Sequence, residues 1–353
     1  MIVQSQVAPP QDLLERHVCF WNREPCEHPL VRVDTSSVRI DFPPVQCVYG
    51  DHAGQPIGPD QADVDRFLVC VQWDAVISPG QADLFDVLPP YVRIPWLEAV
   101  AGCKVIPHPV SDSIWSYEPE VPLHEPRHIE PRLDWLDALV QQVERLSTDD
   151  TLPCPTGQTV LRGPGDVAEA LLGAETLCLA IADEADWLED FLGACTDLFI
   201  RVAQAQLNRI RPIWGGYFNF FGFWSPEPCV RVQEDVQVIL SPAQYRRWLR
   251  PCLERIVASF PYSMFHLHSG SLKMVDEVIT VPGLNALEVA IDEPPYAPPI
   301  TEQIPILRRV QERLPLFIEG QMSPEELDLL TRGLRPEGLA LRSASWVRER
   351  GTS

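Results

Sequence analysis

The alternation of strand and helix patterns along this 353-residue chain predicts an α/β fold. After residue 151, short apolar runs bounded by loops alternate with amphipathic helical segments. Crossover helices of this kind join parallel strands, and about eight such units suit a (β/α)8 TIM barrel with an N-terminal extension. A doubly wound open sheet is the alternative. The chain has no Gly-x-Gly-x-x-Gly after a strand and no P-loop sequence, which argues against dinucleotide and P-loop sites.

The expected domain organisation is a single domain made of two parts. We expect residues 1–90 to form an N-terminal segment that contributes a first strand and loops, and residues 91–345 to form the barrel. In the first part, residues 11–21 have the apolar spacing of a helix, and residues 29–33 have the composition of a strand. Residues 131–146 repeat the helical spacing on one clear apolar face.

Local signals predict where several helices and strands begin. Ser241 with Gln244, and Ser323 with Glu326, match the capping-box pattern, and each serine is followed by proline. The helix after Ser241 is expected to reach about residue 258. Asp166 is the expected N-cap of another helix. Short apolar runs predict strands at residues 159–161, 233–239, 263–268, 286–290 and 316–318.

Composition excludes some classes of partner. The chain has 28 Lys and Arg against 50 Asp and Glu, a formal net charge of −22. Such a surface repels polyanions, and no basic run is longer than Arg246-Arg247, so we expect no nucleic-acid partner. Hydrophobic content of 45% is ordinary for a globular protein.

The cysteines and the apolar runs predict a cytoplasmic protein. None of the 10 cysteines lies in a Cys-x-x-Cys pair, and their spacing matches no zinc ribbon or disulfide framework. No signal peptide and no apolar run of membrane-spanning length is recognisable, so no membrane association is expected. We therefore expect reduced thiols, including a buried one at Cys103.

Two histidines form the strongest candidate site. In the predicted strand 263–268, His266 and His268 point to one face and the apolar residues between them to the other. Gly270 ends the strand, which puts both imidazoles at its carboxyl end, where α/β barrels hold their active sites. Histidine is the commonest metal ligand and acid–base group. The alternative is a pair of buried histidines bonded to the backbone.

Other candidate residues are less distinctive. Asp235 follows a predicted strand, so its carboxylate is a candidate base or a group that orients a histidine; a loop-capping role is the alternative. Aromatic side chains can line a pocket for a flat ligand or simply fill the core. Arg162 precedes a Gly-Pro turn and is a candidate anion contact or a surface ion-pair partner. The candidate substrate-binding residues are Trp96, Glu98, Arg162, Tyr217, Asn219 and Trp224.

Several segments, in order and spacing, resemble the uroporphyrinogen decarboxylase superfamily. The matching segments are residues 95–103, 161–168, 222–224, 234–235, 240–245, 266–270 and 282–287. They include a Gly-Pro turn, a Ser-Pro helix start and the sequence His-Leu-His-Ser-Gly. The likeness covers roughly residues 95–341 and implies a (β/α)8 barrel with its site at the carboxyl mouth.

The superfamily has two branches with different chemistry. True decarboxylases use no metal and bind a tetrapyrrole through an N-terminal Arg-Gln-Ala-Gly-Arg segment, which this chain lacks. The methyltransferases that this region resembles move methyl groups between corrinoid proteins, thiols or methyl donors. They carry zinc on a His-x-Cys pair and a later Cys. Here His266 matches the first ligand, His268 stands in place of the Cys, and residues 338–345 contain no Cys.

The resemblance therefore implies an enzyme that transfers methyl groups to or from a small substrate. It implies catalytic roles for His266, His268 and Asp235, and zinc held by His266, His268 and Glu319, with Glu288 as another possible carboxylate ligand. A separate corrinoid protein as partner and a homodimer are further expectations. Two alternatives stay open: a decarboxylating lyase acting on a tetrapyrrole, and a barrel that binds a ligand without catalysis.

Overall fold

The computed structural model describes residues 9–34, 40, 42–73, 82–119 and 129–344. Within them the strands are β1 (Leu30–Asp34), β2 (Lys104–His108), β3 (Ser113–Tyr117), β4 (Tyr217–Phe218), β5 (Trp224–Ser225), β6 (Cys229–Gln233), β7 (Tyr262–His268), β8 (Ala286–Ile291), β9 (Leu316–Gln321) and β10 (Leu339–Ala344). The α-helices are α1 (Gln11–Asn22), α2 (Val45–Tyr49), α3 (Val64–Leu68), α4 (Trp96–Ala101), α5 (Leu133–Thr148), α6 (Pro164–Leu172), α7 (Ala174–Ala182), α8 (Leu188–Leu207), α9 (Pro242–Trp248), α10 (Arg250–Ala258), α11 (Val275–Val278), α12 (Ile300–Gln311) and α13 (Pro324–Gly333). Not one of these helices combines the length and apolar character needed to cross a membrane.

A parallel sheet forms the centre of the fold and confirms the α/β prediction. In the described chain it has six strands in the order β1-β10-β9-β8-β7-β6. Every neighbouring pair is parallel. The register places His266 opposite Glu288, and His268 opposite Ala290. The first described strand, β1, therefore pairs with the last described strand, β10.

Two extended stretches lie between the outer strands β1 and β6 without forming a ladder. Backbone bonds connect them to each other and to the sheet: Asp83 to Val31 (3.2 Å), Leu88 to Pro155 (2.9 Å), and an isolated parallel bridge between Arg162 and Gln233. The predicted strand at residues 159–161 is therefore wrong. Side-chain amides replace its ladder bonds, because the Thr159 N–H donates to Gln206 and the Arg231 N–H donates to Gln158.

The sheet has two faces with different surroundings. One face packs against the helices and carries the apolar residues Val230, Val232, Phe265, Leu267, Leu287, Val289, Leu316, Ile318, Leu339 and Leu341. The other face starts with small or apolar residues, Cys229, Met264, Ala286, Phe317 and Ala340, which pack in an aromatic cluster with Phe221 and Phe223. Because side chains alternate along a strand, the histidines of β7 share this second face, beyond the aromatic cluster.

The chain between β6 and α9 departs from the prediction. β6 ends at Gln233, and Asp235–Ile239 is a 3-10 helix rather than a strand. The Asp166 carboxylate causes this ending, since it accepts the N–H groups of Asp235 (2.9 Å) and Val236 (2.7 Å). Asp166 is not the N-cap of α6, which begins at Pro164 after Gly163.

The predicted capping boxes are confirmed. Ser241 and Ser323 each accept the N–H three residues later, and the Gln or Glu there returns the bond. The long helix predicted after Ser241 is two helices, because α9 ends at Trp248 and α10 begins at Arg250 with a proline in its first turn. Proline lacks the N–H that a continuous helix needs at this point.

The expectation of ten reduced thiols is wrong for two of them. Cys47, in the middle of α2, and Cys70, two residues after the end of α3, form a disulfide. Their Cα atoms are 6.0 Å apart because these two short helices pack together, a contact that the 23-residue spacing does not reveal. Cys103 is buried and free, as expected, and burial raises its pKa to about 12.

Candidate metal centre

His266 and His268 lie side by side at the carboxyl end of β7. Strand alternation turns both imidazoles to the inner face, as the sequence predicts, while Phe265 and Leu267 enter the helix-covered core. The ring centroids are 4.8 Å apart and the rings are nearly perpendicular, at 87°. His266 is buried, whereas the side chain of His268 is 45% exposed. One imidazole therefore lies deep in the site and the other lies nearer its opening.

Asp235 completes a cluster of three ligand-type side chains. Its carboxylate and one nitrogen from each histidine lie within 4.8 Å of one another. The His268 Nε2 is 3.9 Å from the Asp235 Oδ1. Asp235 reaches this place because β6 neighbours β7 and the 3-10 helix turns the chain over the strand end. Two imidazoles and a carboxylate form a set that holds divalent ions such as zinc or iron.

Two atoms of this cluster are buried without a partner. Among the described residues, neither the His266 Nε2 nor the Asp235 Oδ1 has a hydrogen-bond partner. Leaving a buried polar atom unsatisfied costs about 1–3 kcal/mol, so such atoms are rare in native proteins. Both atoms belong to residues of the cluster, and the His268 Nε2 is 3.9 Å from one of them, the Asp235 Oδ1. A bound cation would satisfy all three.

Carboxylates fix the other nitrogen of each imidazole. The His266 Nδ1 is 2.7 Å from Glu288, and the His268 Nδ1 is 2.7 Å from Asp292. An ionised carboxylate can only accept, so each Nδ1 carries the proton and donates it. In a neutral imidazole with the proton on Nδ1, the Nε2 carries the lone pair. Metal-binding histidines are typically oriented in this way by a second carboxylate.

Burial keeps His266 neutral, and its neighbours keep Glu288 ionised. Burial lowers the pKa of His266 and outweighs the opposing effect of Glu288, and the Arg231 charge adds to the lowering. Burial alone would raise the pKa of Glu288, but the Arg231 charge and the hydrogen bonds from His266 and Arg231 bring it below its usual value. A neutral imidazole is the form that binds a metal.

Two further acidic residues, Asp166 and Glu234, are neighbours of Asp235. Their side chains accept hydrogen bonds from backbone N–H groups. Burial, followed by mutual repulsion among these acids, raises the pKa of Asp166 to about 8 and that of Glu234 well above its usual value. Glu234 accepts the Asp166 N–H at 3.0 Å at the start of α6. Gly163 and Gly165 make room, since a Cβ at either would lie 2.4 or 2.6 Å from a Glu234 oxygen. The Glu234 carboxylate therefore fills the N-terminus of α6.

Glu319, the predicted third metal ligand, lies outside the cluster. It is on β9, and its register partner Ala290 separates it from His268 on β7. Asp235 takes the third place because β6, and not β9, is the strand beside β7. Glu288 is also outside the cluster, because its oxygens bond to Arg231 and the His266 Nδ1.

A cavity of about 350 Å³ lies beside Gln233, a hydrogen-bond partner of Asp235, and its polar lining residues are Arg93, Glu98, Ser116, Arg162 and Gln233. Arg162 forms an ion pair with the buried Glu98 and donates to Ser116 at 2.9 Å. Gln233 also lines the cavity, and its amide donates to the Asp235 Oδ2 at 2.7 Å. The remaining walls are mostly apolar: Val92, Ile94, Pro95, Ile114, Trp115 and Val160. The volume and lining suit a small organic ligand.

The other four candidate substrate-binding residues lie apart from the cluster. Three of them are buried and bond to the backbone: Trp96 to Tyr91, Asn219 to Phe221 and Phe223, and Trp224 to Ile213. Tyr217 is in β4, paired with β5. Their roles in binding a substrate stay predictions from the sequence.

Three supporting residues were not recognised from the sequence. Asp292 follows β8 directly, and a carboxylate just past the next strand is a signal that was available. Arg231 and Gln233 alternate along β6, on the same face as each other. Their links to Glu288 and Asp235 depend on which strands are neighbours, which the sequence pattern does not specify.

Comparison with known proteins gives a likeness of fold. No family model matches the chain, and no curated protein matches it. Among solved structures, a methyltransferase from Methanosarcina mazei superposes with a TM-score of 0.60 and 15% sequence identity. The match covers 94% of this chain and 93% of that one. At this identity the likeness shows a shared fold.

Proposed function

We propose that this protein is a metal-dependent methyltransferase that acts on a small substrate at the carboxyl end of its parallel strands. The observation that carries the proposal is that one ligand atom from each of His266, His268 and Asp235 lies within 4.8 Å of the others. The His266 Nε2 and the Asp235 Oδ1 are buried without a partner in the described chain, and both imidazoles are held by carboxylates. The reaction type, methyl transfer, is supported by the likeness of fold to the Methanosarcina mazei methyltransferase and by the sequence resemblance.

The architecture that we propose is a closed (β/α)8 ring. Six positions are the strands of the sheet, and the extended stretches near residues 83–90 and 155–162 supply the other two. Their bonds to β1, to each other and to β6 support this closure. The division at residue 90 is part of the same proposal, with β1 contributed by the N-terminal segment.

The proposed ligands of one divalent ion are His266, His268 and Asp235. The donor set fits zinc, which in catalytic sites takes three protein ligands and keeps one position open. When bound, zinc lowers the pKa of a coordinated thiol or hydroxyl and so supplies a nucleophile at neutral pH. Glu288 and Asp292 accept the Nδ1 protons and so orient the two imidazoles. A corrinoid partner, a homodimer and a cytoplasmic location stay predictions from the sequence.

The cavity beside Gln233 is the proposed place for the substrate. Glu98 raises the pKa of Arg162, so its guanidinium stays charged, and it has more N–H groups than the contacts to Glu98 and Ser116 use. These groups can orient the polar end of a substrate, while the apolar wall excludes water from the rest. Gln233 separates this space from Asp235.

Tetrapyrrole decarboxylation is the weaker alternative. Its substrate carries many carboxylates and requires arginines with donors to spare. Arg32, which faces the interior on β1, directs its side-chain nitrogens to Asp34, Asp86 and the Leu84 carbonyl. This arginine is therefore already neutralised by acids of the chain itself.

A zinc titration tests the proposal. We expect the purified protein to bind one zinc per chain in competition with a chromophoric chelator, and His266→Ala or His268→Ala to weaken binding at least about 100-fold. His108→Ala, in the hairpin of β2 and β3, is the matched control and should leave binding unchanged. Loss of methylcobalamin absorbance with a small thiol as acceptor then tests methyl transfer. Zinc binding that survives both histidine changes would refute the proposal.

A further inference from the structure

We infer that Gln233 is a positioning residue that aims the Asp235 carboxylate at the metal and connects it, through Arg231 and Glu288, to His266. The inference rests on the proposed metal site and adds a coupling between two of its ligands. Asp235 and His266 are connected by a continuous series of side-chain hydrogen bonds. A displacement of one ligand therefore changes the position of the other.

Four contacts form this chain. The Gln233 Nε2 donates to the Asp235 Oδ2 at 2.7 Å, and the Gln233 Oε1 accepts from the Arg231 Nη1 at 2.8 Å. The Arg231 Nε donates to the Glu288 Oε2 at 3.0 Å. The other oxygen of Glu288 accepts from the His266 Nδ1 at 2.7 Å. Every contact is short and involves at least one charged group, the class of hydrogen bond that is strongest in proteins.

The chemistry of the neighbours requires at position 233 a side chain that both accepts and donates hydrogen bonds. Arginine only donates and an ionised carboxylate only accepts, so the group between them must accept on one side and donate on the other. Glutamine does this in one orientation, with its oxygen toward Arg231 and its nitrogen toward Asp235. Because Gln233 holds the Oδ2, the Oδ1 is the oxygen that faces the histidines without a partner of its own.

Arg231 makes the chain rigid. Its side chain is 5% exposed, and the guanidinium lies over the rings of Phe220 and Phe221, at 5.5 and 5.0 Å from their centroids. Glu288 is fully buried against it. A guanidinium held between two rings and a buried acid has one orientation, so it transmits a displacement rather than absorbing it.

Gln233 also lies in the wall of the 350 Å³ cavity. A molecule in the cavity therefore contacts the residue that orients Asp235. A molecule bound in the cavity can therefore change the coordination geometry of the ion through Gln233, without contacting any of the three metal-binding side chains.

The test compares zinc and cobalt(II) binding by the full-length protein and three variants. Gln233→Leu removes both bonds, and Gln233→Glu keeps the acceptor for Arg231 but turns an oxygen toward Asp235. We expect binding to weaken about 10- to 100-fold in each, with the cobalt(II) absorption bands shifted and the stoichiometry unchanged. Gln142→Leu is the control, because Gln142, although more buried than Gln233, also makes two hydrogen bonds through its side-chain amide. Wild-type affinity and spectrum in both Gln233 variants would overturn the inference.

A metal-free measurement separates this inference from the proposed function. Thermal unfolding of Gln233→Leu, Glu288→Gln and the double variant should give shifts in Tm that are not additive, because both residues act through Arg231. Additive shifts would overturn the connection even if the wild type binds zinc. A wild type that binds neither metal refutes the proposed site and the aiming of Asp235, while the unfolding data still decide whether the connection exists.

Discussion

Two buried histidines, His17 in α1 and His266 in β7, have opposite hydrogen-bond arrangements. His17 is completely buried, and both its nitrogens bond to the backbone: the Nε2 to the Asp83 carbonyl at 2.8 Å, and the Nδ1 to the Trp224 N–H at 3.1 Å. His266 is also buried, but its one bond goes to a carboxylate and its Nε2 has no partner among the described residues.

The difference shows what distinguishes a structural histidine from a ligand. Burial lowers the pKa of both, that of His17 to about 4, so neither burial nor a perturbed pKa tells them apart. His17 joins α1 to the chain around residues 83 and 224 and packs on Phe85 and Phe223. The informative feature is the unused lone pair of His266, held in place by a charged partner.

The largest expected difference between His17 and His266 is in their contribution to the free energy of unfolding. We expect His17→Ala to lower the free energy of unfolding by about 3–4 kcal/mol, because it opens a cavity among aromatic rings and leaves two backbone groups without partners. Zinc affinity should not change. Urea unfolding and the chelator titration, performed on the same sample, measure both. A His17→Ala protein of wild-type stability would show that its two backbone bonds contribute nothing.

The second prediction concerns pH. The pKa of His17 is about 4 in the folded protein and 6.5 in the unfolded chain, so between these values the unfolded chain binds the proton. Stability therefore falls as the pH is lowered from 6.5 to 4, and this contribution is constant below pH 4. Over that window it amounts to about 3 kcal/mol. Urea unfolding at pH 7, 5.5 and 4 should show a smaller decrease for His17→Phe than for the wild type; parallel decreases would contradict the assignment.

The same contrast explains what the sequence could predict. The histidine pair and the capping boxes at Ser241 and Ser323 depend on residues close together in the chain, so their spacing specifies them. Glu319 was the wrong neighbour because strand order decides which carboxylate reaches β7, and strand order is a tertiary property. An apolar triplet such as residues 159–161 does not reveal whether its backbone bonds go to a ladder or to side chains.

The supporting residues were the least predictable part of the site. Gln233 and Arg231 acquire their roles only when β6 and β8 lie on either side of β7. The pairing of Cys47 with Cys70 likewise depends on how α2 packs against α3. In each case the missing information was a contact between distant parts of the chain, whereas the residue type alone was ordinary.

The smallest predicted effect compares the two carboxylates that hold the imidazoles. Glu288 is fully buried and also bonds Arg231, whereas the side chain of Asp292 is 22% exposed and also accepts the Gly270 N–H. Water can replace part of what Asp292 provides, but not what Glu288 provides. We expect Glu288→Gln to weaken zinc binding about 100-fold and Asp292→Asn about 10-fold or less.

The chelator titration measures both variants, and the nitrogen chemical shifts of the imidazoles report whether each Nδ1 keeps its proton. Equal losses of affinity would mean that the two imidazoles are held with equal strength despite their different burial. A larger loss for Asp292→Asn would reverse the order and make the exposed His268 the ligand that depends most on its carboxylate. The expected order instead follows from desolvation, since a charged hydrogen bond is stronger where water does not compete for either partner.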